Sequence, residues 1–400
     1  MDLIGWVIFI VALLFSVMLH ETGHFVTAKK FGMKVTRYFV GFGPTIWSTW
    51  RGETEYGIKA LPFGGFVKIV GMHSMDDPDD PEDEPQAFRS KPAWQRILVL
   101  CAGSAMHFIL ALLLVFGLAL GVGIANDNVT QLGTISPCVP TSLAAYNNGT
   151  CGSPDAPASP AKLAGLRAGD TVTAFDGHPV SSFTQLGDAI RAVPPGSPAT
   201  ITVRRDGKLV TLPIKPASVS GRNGSYLGIG PAVLFQVASP LRAIEYSGST
   251  FGQVLVGSAQ AVTALPKELP KLFDKNSSNS SGGQLIGVVG AAEATGTEVA
   301  SNDGWQYKVS FVLLLIASLN IFVGAFNLLP LLPLDGGHIA VIIYERIRAW
   351  LARLRGRPDP GLADMAKFLP VSFTLFVLLI ALSLALVAAN IVNPVNLTGG

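Results

Sequence analysis

Charged residues are scarce in this chain of 400 residues, and the scarcity limits what the protein can be. Asp, Glu, Lys and Arg make up 14% of the sequence, whereas a soluble globular protein carries about 25%. Hydrophobic residues make up 49%. The net charge is only +2 and the basic residues do not gather into one patch, which argues against a nucleic-acid-binding protein. The shortage of charge indicates that lipid is part of the solvent.

Residues that bind metals are also few, because the chain has six histidines and three cysteines. Cys138 and Cys151 are close enough in sequence to close a short disulfide loop in an oxidising compartment, and two free thiols are the alternative. Cys101 lies in an apolar stretch, where it is expected to act as a small apolar residue. Any metal site must therefore draw on a short list of side chains.

Four apolar stretches are long enough to cross a bilayer, which takes about 20 helical residues. They run approximately over residues 3–28, 97–125, 309–334 and 370–392. The first lacks a basic start and continues into His-Glu-Thr-Gly-His rather than a small-residue cleavage site. We therefore expect it to be a retained span and not a secretory signal.

The distribution of lysine and arginine predicts the orientation of these spans. Basic residues concentrate in segments 29–96 and 335–369, whereas the first thirty residues of segment 126–307 contain none. Because loops rich in Lys and Arg stay in the cytoplasm, the two basic segments are predicted to be cytoplasmic. Both chain ends and the long segment are then extracytoplasmic.

The chain is expected to alternate between spans and the segments that connect them. In order, these are the first transmembrane helix with a metal motif (1–28), a cytoplasmic loop with membrane-associated β-hairpins (29–96), the second transmembrane helix (97–125), an extracytoplasmic domain (126–239), an amphipathic helix and linker (240–308), a third transmembrane segment with an aspartate ligand (309–340), a cytoplasmic basic loop (341–369), and a fourth transmembrane helix and tail (370–400). The acidic run 76–84 and the serine-rich run 275–283 are expected to be solvated connections without chemistry.

The long extracytoplasmic segment is predicted to contain a β-rich domain. In chain order, its predicted elements are a strand at 171–175, a helix at 181–192 and a strand at 199–204. A hairpin turn at 206–207 and a last strand at 209–214 follow. This order over residues 132–216, with Ala-Gly-Leu-Arg-Ala-Gly-Asp at 164–170, resembles a PDZ domain, which binds extended peptides by strand addition. The insertion at 138–160 is expected to restrict the peptide groove, and a small β domain without a ligand is the alternative.

His20 and His24 carry the clearest chemical signal. Their spacing of four residues on a helix projects both imidazoles from one face, where two nitrogens can bind one zinc ion. Glu21 is expected beside the open metal position, where it can take a proton from water. Zinc needs a third protein ligand, but residues 27 and 30 are threonine and lysine, so the Gly-x-x-His continuation known from soluble proteins is absent.

Asp335 is the strongest candidate for the third ligand. It closes the sequence Asn-Leu-Leu-Pro-Leu-Leu-Pro-Leu-Asp, which starts at Asn327, and an ionisable residue at the end of an apolar span is costly without a partner. At 1.5 Å per residue, His20 lies about 25 Å and Asp335 at most about 39 Å along their spans. Pro330 and Pro333 are expected to break the second helix. Both motifs therefore fall toward the cytoplasmic ends of their spans.

Taken together, these features resemble the bacterial site-2 protease family. The resemblance rests on the His-Glu-x-x-His motif, the Asn-x-x-Pro-x-x-Pro-x-Asp-Gly motif, the Gly-Phe-Gly-Pro loop at 41–44 and the outer PDZ-like domain, and it covers nearly the whole chain. It implies a polytopic α-helical membrane protein with four transmembrane helices, an inserted extracytoplasmic PDZ-like α+β domain and a cytoplasmic-side, membrane-associated β-hairpin region. It also implies an intramembrane zinc metalloprotease that carries out regulated intramembrane proteolysis.

The resemblance assigns roles to individual residues. His20, His24 and Asp335 would bind Zn²⁺, and Glu21 would activate water. Asn327 would hold the substrate backbone or the developing oxyanion. The glycine-rich hairpins would offer an edge to an unwound substrate strand, a role in which the sequence points to Gly64, Gly65 and Phe66.

The resemblance also implies partners and a location. The substrates would be single-span membrane proteins in the bacterial cell membrane, among them pre-cleaved anti-sigma factors or remnant signal peptides, with no nucleic acid involved. One departure concerns His107, which occupies the position of a family asparagine and is expected to be a satisfied interior histidine, with an extra metal ligand as the alternative. No metal role is expected for His73, His178 or His338.

Two other functions are weighed against this one. A catalytically inactive membrane adaptor that recruits partners through the PDZ-like domain would need neither the metal ligands nor Glu21, and the sequence has both. A metal transporter should have polar residues along several spans, whereas here they concentrate at one depth.

Overall fold

The computed structural model describes residues 3–72, 81–126, 128–147, 149–268, 288–301, 304–363 and 368–392. His73, most of the acidic run 76–84 and the serine-rich run 275–283 lie outside these residues. The described residues divide into two compact units. One contains the residues up to Ala119 together with those from Ser239 onward, and the other is Leu120–Ala238.

Ten helices are found in the described residues. They are α1 (Leu3–Lys30), α2 (Ala93–Gly121), α3 (Leu143–Asn147), α4 (Pro160–Leu163), α5 (Phe183–Ala192), α6 (Pro240–Glu268), α7 (Val288–Ala300), α8 (Trp305–Asn327), α9 (Asp335–Leu354) and α10 (Leu369–Val392). Four are long and apolar enough to cross a membrane: α1, α2, α8 and the part of α10 from Pro370 to Ala388. The chain is therefore a membrane protein with four candidate spans, close to the positions expected from the sequence.

The third predicted segment, 309–340, is divided in the structure. Helix α8 ends at Asn327, and a new helix, α9, begins at Asp335. Pro330 and Pro333 lie in the connection, and proline both lacks the N–H that a helix needs and clashes with the preceding turn. The expectation that 341–369 forms a loop was wrong as far as Leu354, because apolar residues at helical spacing keep α9 folded despite its arginines.

The segment 240–308, expected to be one amphipathic helix and a linker, contains two helices. Helix α6 packs Tyr246, Phe251, Val254 and Leu255 against a cluster shared by α2 and α8. Helix α7 packs on α1 so closely that a Cβ at Gly5 would lie 2.6 Å from the Cα of Gly296. Small residues are what allow two helices in an apolar medium to approach in this way.

Strands β1 (Val35–Arg51) and β2 (Thr54–Ile69) form an antiparallel hairpin that folds back on itself. Val40 pairs with both Gly65 and Ile58, so the start of β1 lies between the two halves of β2. The end of β1, residues 45–51, pairs with the outer side of 54–59. The result is a small sheet whose two edges are formed by 45–51 and 65–69.

The hairpin sheet is attached to α1 by close contacts. A Cβ at Gly65 would lie 2.7 Å from the sulfur of Met18. The Tyr38 hydroxyl lies 2.8 Å from Thr22 Oγ1. The edge formed by residues 65–69 is therefore next to the helix that carries the His-Glu-x-x-His motif.

The second unit is rich in β-structure. Its strands are β3 (Ile124–Asn126), β4 (Leu132–Ile135), β5 (Thr171–Phe175), β6 (His178–Pro179), β7 (Ala199–Arg205), β8 (Lys208–Ile214), β9 (Ile229–Pro231) and β10 (Leu234–Gln236). Four of them form an antiparallel sheet in the order β6-β5-β7-β8, and α5 contributes Leu186 and Ile190 to its core. Cys138 and Cys151 form a disulfide in this unit, whereas Cys101 is free.

Candidate metal centre

His20 and His24 occupy successive turns of α1 and face the same way. Both are buried, with 8% and 5% of their surface exposed, and their Nε2 atoms lie 3.0 Å apart. The α1 sequence before His20 is apolar apart from Ser16. Two buried nitrogens at this separation on one helix face are suited to binding one cation.

Asp335 reaches the same point from α9. Its Oδ2 lies 3.3 Å from His20 Nε2 and 3.4 Å from His24 Nε2. Asp335 is the first residue of α9, and the two glycines after it allow the chain to turn tightly there. A Cβ at Gly336 would lie 2.2 Å from the Leu328 carbonyl oxygen, and one at Gly337 2.5 Å from the Leu332 nitrogen. Only glycine fits this turn, which brings the carboxylate to the histidines.

The three candidate ligand atoms have a spacing that suits zinc. Zinc binds nitrogen and oxygen at about 2.0–2.1 Å in a tetrahedron, so neighbouring ligand atoms should be about 3.3 Å apart. The three pairwise distances here are 3.0, 3.3 and 3.4 Å. Asp335 Oδ2 is buried without a hydrogen-bond partner among the described residues. The observed geometry fits one face of a zinc coordination tetrahedron.

The tautomer of His24 also suits a metal ligand. Its Nδ1 lies 2.7 Å from the carbonyl oxygen of Val99, and a carbonyl can only accept, so Nδ1 carries the hydrogen. The lone pair is then on Nε2, the atom that faces His20 and Asp335. His20 Nδ1 has no hydrogen-bond partner among the described residues.

Helix α2 closes one side of the centre, and Gly103 makes this possible. A Cβ at Gly103 would lie 2.5 Å from His24 Nε2 and 2.7 Å from His20 Nε2. Gly23 has the same function on α1, since its Cβ would lie 2.4 Å from the carbonyl oxygen of Ala102. The two helices therefore meet through glycines at the level of the centre.

Glu21 lies half-buried between the centre and the hairpin sheet. Its carboxylate has electrostatic contact with His24, His20 and Asp335, and it accepts a hydrogen bond from the backbone N–H of Val67. Val67 belongs to the sheet edge formed by residues 65–69. The structure thus brings an acid, three candidate ligands and a strand edge together.

A polar cluster beside the centre is missing from the sequence predictions. Ser16, His107 and Asn320 come from α1, α2 and α8, and all three are buried. His107 Nδ1 lies 2.8 Å from Asn320 Oδ1 and 3.0 Å from Ser16 Oγ, and Ser16 Oγ also donates to Asn320 Oδ1. Asn320 Nδ2 donates to the Ile316 carbonyl, which fixes the orientation of the amide. The polar amide of Asn320 within an apolar span is the sequence signal that could have drawn attention to this position.

His107 is close to the centre but is not part of the ligand group. Its ring centroid lies 5.0 Å from that of His20. The group whose ligand atoms all lie within 4.8 Å of one another consists of His20, His24 and Asp335. His107 is therefore a hydrogen-bonded interior histidine in this structure, as the sequence analysis expects.

The other residues singled out from the sequence lie in three further elements of the fold. Asn327 is the last residue of α8 and is half-buried. Gly64, Gly65 and Phe66 lie in β2, and the Phe66 ring stacks on Phe39 at a centroid distance of 5.6 Å. His178 lies in β6, which belongs to the second unit, whereas the candidate metal centre belongs to the first.

The fold and the centre together define a class of protein: a membrane hydrolase with a site for zinc built on apolar helices. Residues 8–357 match the model of Peptidase family M50, so the chain belongs to this family, the site-2 proteases. It is 37% identical to zinc metalloprotease Rip1 of Mycobacterium tuberculosis strain H37Rv over 98% of both chains. It is 35% identical to the Rip1 of Mycolicibacterium smegmatis, also over 98% of both.

A more distant relative is also described as a zinc metalloprotease, with the qualifier putative. A putative zinc metalloprotease of Clostridium perfringens is 28% identical over 83% of this chain and 85% of its own length. The chain is therefore a zinc metalloprotease with Zn²⁺ as its cofactor, from a family that carries out regulated intramembrane proteolysis.

Proposed function

We propose that this protease hydrolyses peptide bonds in or near the transmembrane segments of single-span membrane proteins. The observation that carries the proposal is the convergence of His20 Nε2, His24 Nε2 and Asp335 Oδ2 within 3.4 Å of one another, next to a strand edge and on helices apolar enough to cross a bilayer. In this proposal His20, His24 and Asp335 are the zinc ligands. When bound, Zn²⁺ supplies a Lewis acid that polarises the scissile carbonyl and lowers the pKa of water toward neutrality.

Glu21 is the proposed general base. It takes a proton from the attacking water and later gives a proton to the leaving amine, because the same carboxyl group can serve as base and then as acid. Its hydrogen bond from the Val67 N–H holds the carboxylate at the sheet edge, where the substrate backbone is proposed to dock. Asn327 is the proposed donor to the substrate backbone or to the oxyanion, from the end of α8.

The edge at Gly64, Gly65 and Phe66 is the proposed docking strand. A transmembrane substrate must unwind before a carbonyl is accessible, and strand pairing replaces some of the lost helical hydrogen bonds. Residues 65–69 pair with β1 on one side only, which leaves their other side as an edge. Phe66→Pro should abolish cleavage while zinc is retained, and unchanged cleavage would contradict this docking role.

The proposal extends to substrates and to the second unit. Single-span proteins such as anti-sigma factors trimmed by another protease, or leftover signal peptides, are the proposed substrates. The β-rich unit is proposed to be an extracytoplasmic PDZ-like domain that binds a peptide terminus or excludes untrimmed substrates, with both chain ends on the same side. The antiparallel sheet and α5 support this assignment.

Protease accessibility of tags on both chain ends in sealed vesicles tests the proposed orientation. Chain ends found on the cytoplasmic side would refute it.

The test of the catalytic proposal compares the purified chain with Glu21→Gln in detergent, using a panel of single-span peptides and a zinc assay on both proteins. We expect one zinc per chain in both proteins and cleavage only by the unmodified chain. His24→Ala is the matched ligand variant and should lose both zinc and cleavage. Cleavage by Glu21→Gln at the rate of the unmodified chain would refute the assignment of the base.

A further inference from the structure

A groove between the start of α2 and the middle of α9 is not used by the metal centre. It is an open groove of about 430 Å³. Its walls are apolar and aromatic apart from one cation, and the side chains that matter are Trp94, Ile97, Ile343, Arg346, Ile347 and Trp350. The two helices that form it are held together by a buried ion pair between Arg96 and Glu345, with Nη2 and Oε2 3.0 Å apart. The two helices that form the groove are therefore joined beside it.

The face of α9 that borders the groove is apolar and exposed. Ile343, Ile347, Trp350 and Leu354 recur at the helical spacing of three to four residues and are 47%, 50%, 60% and 66% exposed. The opposite face, with Glu345 among its residues, is buried against the rest of the unit. In a chain with four candidate membrane spans, the medium that covers such a face is lipid.

The charge around this face is mostly positive. Arg346, Arg348 and Arg353 lie in α9, and Arg355 and Arg357 follow it. The acids of α9 are Asp335, at the metal centre, and Glu345, which pairs with Arg96. The two acids are thus engaged elsewhere, and the surface beside the groove is basic.

Arg346 differs from Arg348 and Arg353, the other two arginines of α9, in having no partner. Arg348 Nη2 donates to the Pro360 carbonyl oxygen, and Arg353 lies 4.0 Å from Asp359. Within the part of the chain that the structure describes, Arg346 forms neither a hydrogen bond nor an ion pair, and its side chain is exposed at the groove. Trp94 and Trp350 flank it, and tryptophan is the residue that favours the level of the lipid headgroups.

We infer that this groove binds an anionic phospholipid. The acyl chain packs against Ile97, Ile343 and Ile347, and the phosphate group pairs with Arg346 between the two tryptophans. Free phosphate could form the same ion pair with Arg346, but it has no apolar part to pack against the apolar walls. The basic surface around Arg346 favours a headgroup of net negative charge over a zwitterionic one.

The test uses the full-length, zinc-loaded chain in detergent and counts bound lipid by native mass spectrometry. Phosphatidylglycerol and phosphatidylcholine with identical acyl chains are offered in equal amounts, with and without inorganic phosphate. We expect phosphatidylglycerol to be retained in about fivefold preference, and phosphate not to displace it. Arg346→Gln should remove the preference, and Arg355→Gln, an arginine of the same segment outside the groove, should keep it.

A second measurement does not depend on an arginine variant. Phosphatidylglycerol brominated on its acyl chain should quench the tryptophan fluorescence of the unmodified chain, and Trp94→Phe with Trp350→Phe should remove the saturable part of the quenching. Zinc content shows that each variant is folded. Equal loss of lipid in Arg346→Gln and Arg355→Gln would overturn the site, because it would mean general attraction to a basic surface. Displacement by phosphate, or equal retention of the two lipids, would overturn it as well.

Discussion

At the scale of single residues, the metal centre depends on a position that has no side chain. Gly103 lies where any Cβ would be 2.5 Å from His24 Nε2. We expect Gly103→Ala to weaken zinc binding by about 10–100-fold, the effect typical of disturbing the surroundings of a metal ligand. The measurement is a chelator competition on the purified protein.

Gly117→Ala is the matched control for this substitution. It changes the same residue type on the same helix, but nothing lies within 4 Å of the position of its Cβ. Its zinc affinity should be unchanged, and alanine should if anything favour the helix. Equal zinc affinities for the two variants would contradict the account of Gly103.

The cluster of Ser16, His107 and Asn320 ties three apolar helices together, and it should contribute to stability. His107→Leu leaves Asn320 Oδ1 without the imidazole N–H, and we expect it to lower the free energy of unfolding by about 1–2 kcal/mol. His107→Asn keeps a donor at this position and should lower the free energy of unfolding by less. Thermal unfolding in detergent compares the two; a leucine variant as stable as the asparagine variant would argue against the hydrogen bonds.

The sequence predicted those functional residues whose pattern lies within a short stretch of the chain, and missed those that come together from distant stretches. His20 and His24 are four residues apart, so a single helix carries the pattern, and Asp335 stood out as a charge at the end of an apolar span. Ser16 and Asn320 are 304 residues apart, and nothing in one sequence indicates that they meet. The role of Gly103 is equally hard to predict from the sequence, because glycine is required there by the side chains of a neighbouring helix, α1.

At the scale of elements, α9 is held in place by a buried charge pair. Arg96 and Glu345 are each 9% exposed in their side chains, and Glu345 Oε1 also accepts from the backbone N–H of Ala363. Glu345→Leu leaves the Arg96 charge buried without a partner, and we expect a loss of about 3–5 kcal/mol in the free energy of unfolding.

The double variant Arg96→Met with Glu345→Leu distinguishes this reason from simple loss of packing. Replacing both partners by apolar residues removes the unpaired charge, so the double variant should recover most of the loss. Chemical unfolding of the two variants in the same detergent gives the comparison. A double variant as unstable as Glu345→Leu would show that the charge is not the cause.

The same helix shows why element prediction from sequence succeeds in part. Pro330 and Pro333 correctly indicated a break before Asp335, since proline acts locally. The arginines after it suggested a loop, whereas α9 extends to Leu354, because Val341, Ile342 and Ala349 are buried on one face and Glu345 is paired with Arg96. The hairpins of 29–96 were expected as elements, but their fold-back register depends on contacts that composition does not encode.

At the scale of the whole molecule, two units with separate cores share one chain. The unit Leu120–Ala238 leaves and rejoins the rest through paired strands, because β3 and β10 are neighbours in a two-stranded sheet. An insertion whose ends lie together can be accommodated without disturbing the surrounding fold. The core of this unit is formed by its own residues, among them Phe175 and Ile201.

The acid stability of this unit should depend on Asp170. The Arg205 guanidinium beside it lowers the pKa of this carboxyl, with help from the Arg167 N–H. Because the folded pKa lies below the unfolded value of about 3.9, the stabilising contribution is complete above that pH and is lost as the pH falls through the folded pKa. We therefore expect amide hydrogen exchange in β7 to accelerate as the pH is lowered below about 4, after correction for the intrinsic exchange rate.

Asp170→Asn separates this contribution from other effects of acid. The asparagine cannot be charged, so the unit should be less stable at neutral pH and should lose the part of the pH dependence that Asp170 supplies. Cleavage depends on the candidate metal centre as well as on this unit, and for that reason the exchange of β7 amides is a better measurement than cleavage. Since each unit has its own core, zinc content at neutral pH should be the same in Asp170→Asn and in the unmodified chain. Loss of zinc in this variant would mean that the stability of the metal centre depends on the inserted unit.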